Sequence, residues 1–296
     1  MELWIPVTLA AAFFQNLRSM LQKSLKGRLS TWGTTATRFI YAAPLAALLF
    51  AAFAADRGGV PDAPGRFYLF GMAGGLSQIV ATGLLISLFS RTNFAVANGF
   101  TKTEPLQTAM FGLVLLGDHL SAGAVVGILV SLAGVVLVSV PGFSGKAPLR
   151  LDGNALRGIV SGGLFGLSAV AYRAASLSLP GDDVLLRSAA TLAFVTAFQA
   201  VTVLAWLALT EPAEVGRVFR AWRIAGWVGV VGMLASFGWF TAVTLQNAAH
   251  VRALGQVEVV FTLAASILFF KEHITAREIA GVALIAIGVV VLVLLR

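Results

Sequence analysis

The chain has 296 residues, of which 58% are hydrophobic and only 11% charged, with a formal net charge of +8 and no cysteine. A soluble domain carries about 25% charged residues, so most of this chain must sit in lipid, in keeping with its mean hydropathy of +0.89. The lack of cysteine excludes disulfides, thiolate chemistry and Cys-based metal sites, and the excess of Lys and Arg, without a basic helix face or aromatic platform, fits membrane-flanking loops rather than nucleic acid.

Hydropathy predicts ten spans, near residues 3–22, 31–55, 67–90, 93–116, 121–141, 155–176, 184–209, 222–246, 248–270 and 276–295. Each is close to the roughly 20 residues that cross a hydrocarbon core. The first span opens on Glu2 rather than a basic segment and carries Arg18 near its end, which argues against a cleaved signal peptide. Gln15 and Asn16 lie at mid-span depth there, Arg38 stands near the start of span two, and Gln78 falls inside span three.

Span four holds the most informative stretch, Asn98-Gly-Phe-Thr-Lys-Thr-Glu-Pro-Leu-Gln-Thr108. It places Lys102 and Glu104 in mid-membrane, where a charge costs about 2.5–3.5 kcal/mol on insertion scales and marks a functional pathway by default. Pro105 lacks an N–H, so the helix is expected to kink or unwind beside Thr101. At about 100° per residue, Asn98, Lys102 and Pro105 share one face and Glu104 belongs to another. The basic face is expected to line a cavity, with Lys102 anchoring the substrate.

The polar segment 142–153 (GFSGKAPLRLDG) reads as a linker between residues 1–141 and residues 154–296. In the second half, Arg187 stands near the start of span seven, Gln199 lies inside it, and Trp239 is flanked by Phe237 and Phe240. Span nine carries Arg252, Gln256 and Glu258.

The halves are repeats. Shifting the sequence by 154 residues lays Asn93–Val136 on Asn247–Val290 without a gap, with ten identities that include Glu104/Glu258, His119/His273, Gly127/Gly281 and Gly134/Gly288. Five spans per repeat is odd, so the second copy must enter the membrane the other way up. That arrangement marks alternating-access transporters with a midplane site. The expected fold is therefore an all-α integral membrane protein, with ten transmembrane helices as two inverted five-helix repeats around a central cavity.

Several short motifs recur at this spacing: Ala36-Thr-Arg38-Phe39, then Leu115-Leu-Gly-Asp-His-Leu-Ser121 and Gly134-Val-Val-Leu-Val, matched by Phe269-Phe-Lys-Glu-His-Ile-Thr275 and Gly288-Val-Val-Val-Leu. In these the sequence resembles the drug/metabolite transporter superfamily, EamA type, over nearly its whole length. It departs from the usual Leu-Gly-Glu run in having Asp118 in one copy and Lys271 in the other. The resemblance implies small-metabolite transport through a central cavity. It names no substrate, because the superfamily moves amino acids, purines, sugars, nucleotide sugars and drugs.

Six basic residues (Arg18, Arg38, Lys102, Arg173, Arg187, Arg252) and two acids (Glu104, Glu258) fall within the spans. That balance favours a small polar or anionic solute, an amino acid among the options. The plainer reading for Arg18, Arg38, Arg173 and Arg187 is snorkelling from span ends. Arg38–Glu104 and Arg187–Glu258 are expected as pseudo-symmetric pairs that close alternately and couple transport to protons. The candidate substrate residues are thus Gln15, Asn16, Gln78, Asn98, Lys102, Gln199, Trp239, Arg252 and Gln256. The candidate coupling and gating residues are Arg38, Glu104, Pro105, Arg187 and Glu258.

His119, His250 and His273 sit near span ends without an i,i+4 ligand partner, and the single Asp182-Asp183 is a weak metal signal. No Gly-rich phosphate loop is present, so an ATP-driven pump is not expected. Neither a cofactor nor a metal is expected. A lipid-modifying membrane enzyme or a lipid scramblase is the alternative. The partners are a small-molecule substrate and the bilayer of the inner cell membrane, which the chain would cross many times as a monomer or homodimer. Orientation is contradictory. Loops after odd-numbered spans hold twelve basic residues and the remaining loops and termini three, which puts both termini outside the cytoplasm. The family resemblance implies the reverse.

Overall fold

The computed structural model describes residues 2–57, 59–91, 101–119, 121–139, 153–268 and 275–294. Asn98, the segment 142–152 and His273 lie outside them, and of Lys102 only the backbone is described. Every regular element among the described residues is helical: α1 (Trp4–Leu25), α2 (Thr31–Ile40), α3 (Ala42–Asp56), α4 (Gly65–Phe89), α5 (Glu104–Leu116), α6 (Ala122–Ser139), α7 (Gly153–Ser178), α8 (Val184–Thr210), α9 (Pro212–Arg220), α10 (Trp222–Leu245), α11 (Ala248–Leu254), α12 (Glu258–Leu268) and α13 (Ala276–Leu294), with 3-10 turns at Thr101–Thr103 and Gly255–Val257.

Local chemistry sets the boundaries. Ser30 caps α2 by accepting from the Gly33 N–H, and Asp183 caps α8 by accepting from Leu185 and Leu186 N–H. Such caps satisfy donors with no intrahelical acceptor. Gly117, at φ +65°, ends α5 in the left-handed conformation that glycine adopts at least cost. Span two bends at Tyr41 between α2 and α3, where the ring of Pro44 opposes the carbonyl of Ile40 one turn back. The sequence expectation missed α9, an amphipathic helix in what reads as a loop.

Among the described residues, five stretches are long and apolar enough to cross a membrane by length and composition: Thr31–Asp56 (α2 with α3), α4, α7, α8 and α10. Shorter apolar helices accompany them. Although 22 residues long, α1 is not in that set, because Gln15, Asn16 and Arg18 interrupt its apolar run. Gln15 and Arg18 belong to the polar wall of the site described next.

The closest helix packing joins the first half to the second: α6 with α13, α4 with α7, α1 with α10, and α3 with α8. The pairs α4/α7 and α1/α10 are images of each other at the 154-residue offset. In lipid, apolar burial drives no association between helices, so close van der Waals contact between small residues must do so. The α1/α7/α10/α11 core accordingly contains Ala11, Ala12, Ala169, Ala242 and Ala248. Between α6 and α13 the approach is backbone to backbone. A Cβ on Gly127 would fall 2.7 Å from the Gly288 carbonyl oxygen, and one on Gly134 2.5 Å from that of Gly281. This glycine face is therefore spent within the chain and not offered to a second copy.

Candidate functional site

Both 3-10 turns give way to a helix that opens on an acid: Glu104 is the first residue of α5 and Glu258 the first of α12. A carboxylate there meets N–H groups without intrahelical acceptors and the positive end of the helix dipole. In the first half Pro105, in the first turn of α5, accounts for the break. The second half breaks at the equivalent place without proline. There Gly255 opens the 3-10 turn, and the Trp239 ring lies where a Cβ would stand, 2.5 Å from Trp239 Cη2.

The polar face of α1, the midpoints of α4, α7 and α10, and the two breaks enclose a chamber of two joined compartments. One has an empty volume of about 350 Å³, lined by Gln15, Arg38, Gln78, Tyr172, Ser236, Trp239, Phe240 and Arg252 among others. The other, about 340 Å³, is lined by Arg18, Ser19, Thr101, Glu104 and Glu258 as well as Gln15, Phe165 and Arg252, which line both. Side chains nearly fill the two compartments.

Five charged side chains are buried here: Arg18 and Arg38 are 3% exposed, Glu258 4%, Arg252 7% and Glu104 8%. Arg252 Nε stands 3.1 Å from Glu104 Oε1, an ion pair rather than a directed hydrogen bond. Its guanidinium also lies 4.6 Å from the centre of the Trp239 ring, a cation–π geometry. Glu258 Oε2 accepts from Gln15 Nε2 at 3.1 Å. Arg38 Nη1 donates to Thr82 Oγ1 at 2.9 Å. Arg18 is different: its Nε and Nη1 are buried without a hydrogen-bond partner, as is Trp239 Nε1. Burying one unsatisfied donor costs about 1–3 kcal/mol. A neutral network closes the other wall. The Tyr172 hydroxyl lies within hydrogen-bond distance of the Gly74 carbonyl and Gln78 Oε1, and the two Gln199 Nε2 protons are shared among the Tyr172 hydroxyl, Gln78 Oε1 and the Gly75 carbonyl.

The structure therefore brings together Gln15, Arg38, Gln78, Glu104, Trp239, Arg252 and Glu258, with Gln199 backing the wall. The expected pairing is rearranged: Glu104 meets Arg252 rather than Arg38, and Glu258 meets Gln15 rather than Arg187. Arg38 projects from α2 toward Thr82 on α4, whereas Arg187 stays in the first turn of α8 with its Nε unpartnered. Asn16 is buried on α1 outside the chamber lining, and Gln256 and Pro105 line a separate void of about 210 Å³ between α5, α6 and α11. Arg173 does not snorkel: it donates to the Val243 and Gln246 carbonyls at the end of α10, at 2.6 and 2.7 Å. Sequence reasoning missed Arg18, Thr82, Tyr172 and Ser236. The spacing of Thr8, Gln15, Ser19 and Gln22 on one face of α1 is the signal that could have exposed that polar wall.

Both ends of α2–α3 are tied to the second half of the chain. At its start, the Ser30 N–H donates to Glu214 Oε1 at 2.5 Å; Glu214 is fully buried on α9 and also bound by Arg217 at 2.7 Å. Tyr41 donates to the Val218 carbonyl of the same helix at 3.2 Å. At the far end, Arg57 binds Asp183, the cap of α8. That bond and the Leu186 N–H hold the Asp183 carboxyl below its usual value. The start of α2 is thus tied to α9, which follows the end of α8, and the end of α3 to the start of α8, so α2–α3 and α8 run antiparallel. A larger open crevice of about 1080 Å³, lined by Phe50, Phe67, Tyr68, Phe194 and Asp62, lies on the outer surface beside the Arg57 end and is apart from the chamber.

Comparison with known proteins gives a shared fold and, separately, a family. One crystal structure of a protein, at 20% sequence identity, superposes with a TM-score of 0.71 over 97% of this chain and 95% of the other, which shows a shared fold. No curated protein matches the sequence. The model of the EamA-like transporter family matches residues 2–140 and again residues 156–294, two segments of equal length offset by 154 residues. With nearly the whole chain covered by those two matches, this multi-pass membrane protein belongs to the EamA-like transporter family.

Proposed function

We propose that the chain is a secondary transporter of the inner cell membrane that moves a small polar or anionic metabolite by alternating access, through ten spans forming two inverted five-helix repeats. The observation that carries this reading is a buried, charge-lined chamber walled by both halves, with both ends of α2–α3 clasped to the second half. Antiparallel α2–α3 and α8 support the inversion, and the paired breaks before Glu104 and Glu258 support a site at mid-membrane.

Release of the Arg57–Asp183 clasp would open the chamber on one side, and release of the Ser30–Glu214 clasp on the other. The two acids are the coupling candidates. Glu104 trades between Arg252 and a proton, and Glu258 between Gln15 and a proton, as water enters. Lys102 and Asn98 belong to the same reading through their place in span four. Counterflow of radiolabelled metabolites into proteoliposomes preloaded with a candidate pool tests it. Uptake above that of protein-free vesicles is expected, and lipid scrambling or headgroup modification without solute counterflow would replace the transporter reading.

A further inference from the structure

Arg18 and Tyr172 are equivalent positions of the two repeats, 154 residues apart, and the structure treats them oppositely. Tyr172 faces Gln78 on α4 and is fully engaged by Gln78 and Gln199. The position equivalent to Gln78 is Gly232 on α10. The Arg18 side chain passes over it, so that a Cβ on Gly232 would fall 3.3 Å from Arg18 Cδ. The first repeat thus has a guanidinium where the second has a phenol, and the second repeat has a glycine where the first has the bonding amide. Arg18 is consequently left with its buried Nε and Nη1 without hydrogen-bond partners in the wall of the chamber.

Charge balance points the same way. Among the described chamber side chains there are three guanidiniums and two carboxylates, one positive charge in excess. Arg252 is committed to Glu104 and Trp239, Arg38 donates to the neutral Thr82, and Glu258, which accepts from Gln15, is the carboxylate that shares a compartment with Arg18, so the excess positive charge belongs to the chamber as a whole. The remaining free donor near Arg18 is Trp239 Nε1, reached through the shared walls Gln15, Phe165 and Arg252. Donors without acceptors call for a ligand that brings acceptors, and one uncompensated charge calls for a monoanion. A planar carboxylate fits a guanidinium fork through two parallel N–H···O bonds.

We propose that Arg18 is the carboxylate-binding group of the chamber, so that the transported solute carries a single carboxylate. This rests on the transporter reading for its biological meaning, but binding can be measured apart from transport. The probes are acetate, propionate and benzoate, each against its neutral amide, with thermal unfolding of the purified protein as the readout. The acids should raise the melting temperature of the wild type and the amides should not. Arg18→Gln should abolish the acid effect. Arg18→Lys, which keeps the charge and loses the fork, should weaken it by about 10- to 100-fold in apparent affinity, and this variant carries the test if the glutamine variant does not fold. Equal responses to acid and amide in the wild type, or an unchanged acid affinity in either variant, overturn the proposal. Counterflow of the same acids separates the two readings. Acid binding through Arg18 without exchange would leave the subsite and remove the transporter, whereas exchange unaffected in Arg18→Gln would do the reverse.

Discussion

Arg252 carries two of the chamber's interactions at once, the ion pair with Glu104 and the contact with the Trp239 ring. Removing one member of a buried pair leaves an uncompensated charge, which costs about 3–5 kcal/mol, while removing both is far milder. Arg252→Gln is therefore expected to lower stability by that order, and Arg252→Gln with Glu104→Gln to recover most of the loss, as read by a double-mutant cycle of unfolding in detergent. Additive losses would show that the two groups do not depend on each other. For coupling, the expectation concerns Glu104 and Glu258, each opening the helix that follows a break. Either changed to Gln keeps its shape and loses its charge. Transport driven by a pH gradient should stop in both variants, while exchange at equal pH partly survives. Wild-type pH dependence in both would leave the two acids as structural bridges.

At the scale of elements, the two clasps make opposite predictions. The chain has no cysteine, so Ser236→Cys on α10 is a single reporter inside the chamber. Adding Asp183→Asn should raise its labelling by an impermeant thiol reagent from the side of the α7–α8 turn. Adding Glu214→Gln should raise it from the side of α9. The Arg57–Asp183 clasp should not itself respond to pH in the physiological range. The Asp183 carboxyl is held below the ordinary value of 3.8, first by Arg57 and then by the Leu186 N–H. A depressed acid contributes its stabilisation above the unfolded value and loses it only as pH falls through the folded one. Labelling from that side should thus be flat between about pH 5 and 8. The α6/α13 crossing is tested differently. Gly134→Leu must push the backbones of the two helices apart, and overpacking of this kind costs about 1–3 kcal/mol or more. A drop in melting temperature without any change in oligomeric size is expected, because the glycine face is buried within one chain.

For the whole molecule the open quantity is its direction in the membrane. The loops on the α9 side hold most of the basic residues outside the spans, so that side is expected to face the cytoplasm. Lys23→Cys should then be protected from an impermeant reagent in intact cells and Asp62→Cys labelled, and the opposite pattern would assign the orientation that the family resemblance implies. Much of this molecule is determined by sequence alone, because lipid leaves few options. Apolar runs of span length must be helices, a 154-residue offset that preserves Glu, His and two Gly exposes the repeat, and Pro105 announces a broken span. The offset also identified the two acids. What the sequence could not decide is who meets whom. Arg252 rather than Arg38 reaches Glu104, because partners 148 residues apart in the chain are chosen by how α11 crosses α5 and α7. The 3-10 turn at Gly255 has no local proline signal, and the Trp239 ring from α10 occupies the space that a side chain there would need. Arg18 looked like a side chain reaching for the membrane surface. Only the packing of α1 on α10, with Gly232 beneath it, keeps that guanidinium buried and leaves its Nε and Nη1 without hydrogen-bond partners. Local chemistry specifies helices and their breaks, whereas charge pairing is settled by which faces the assembled bundle brings within about 3 Å of each other.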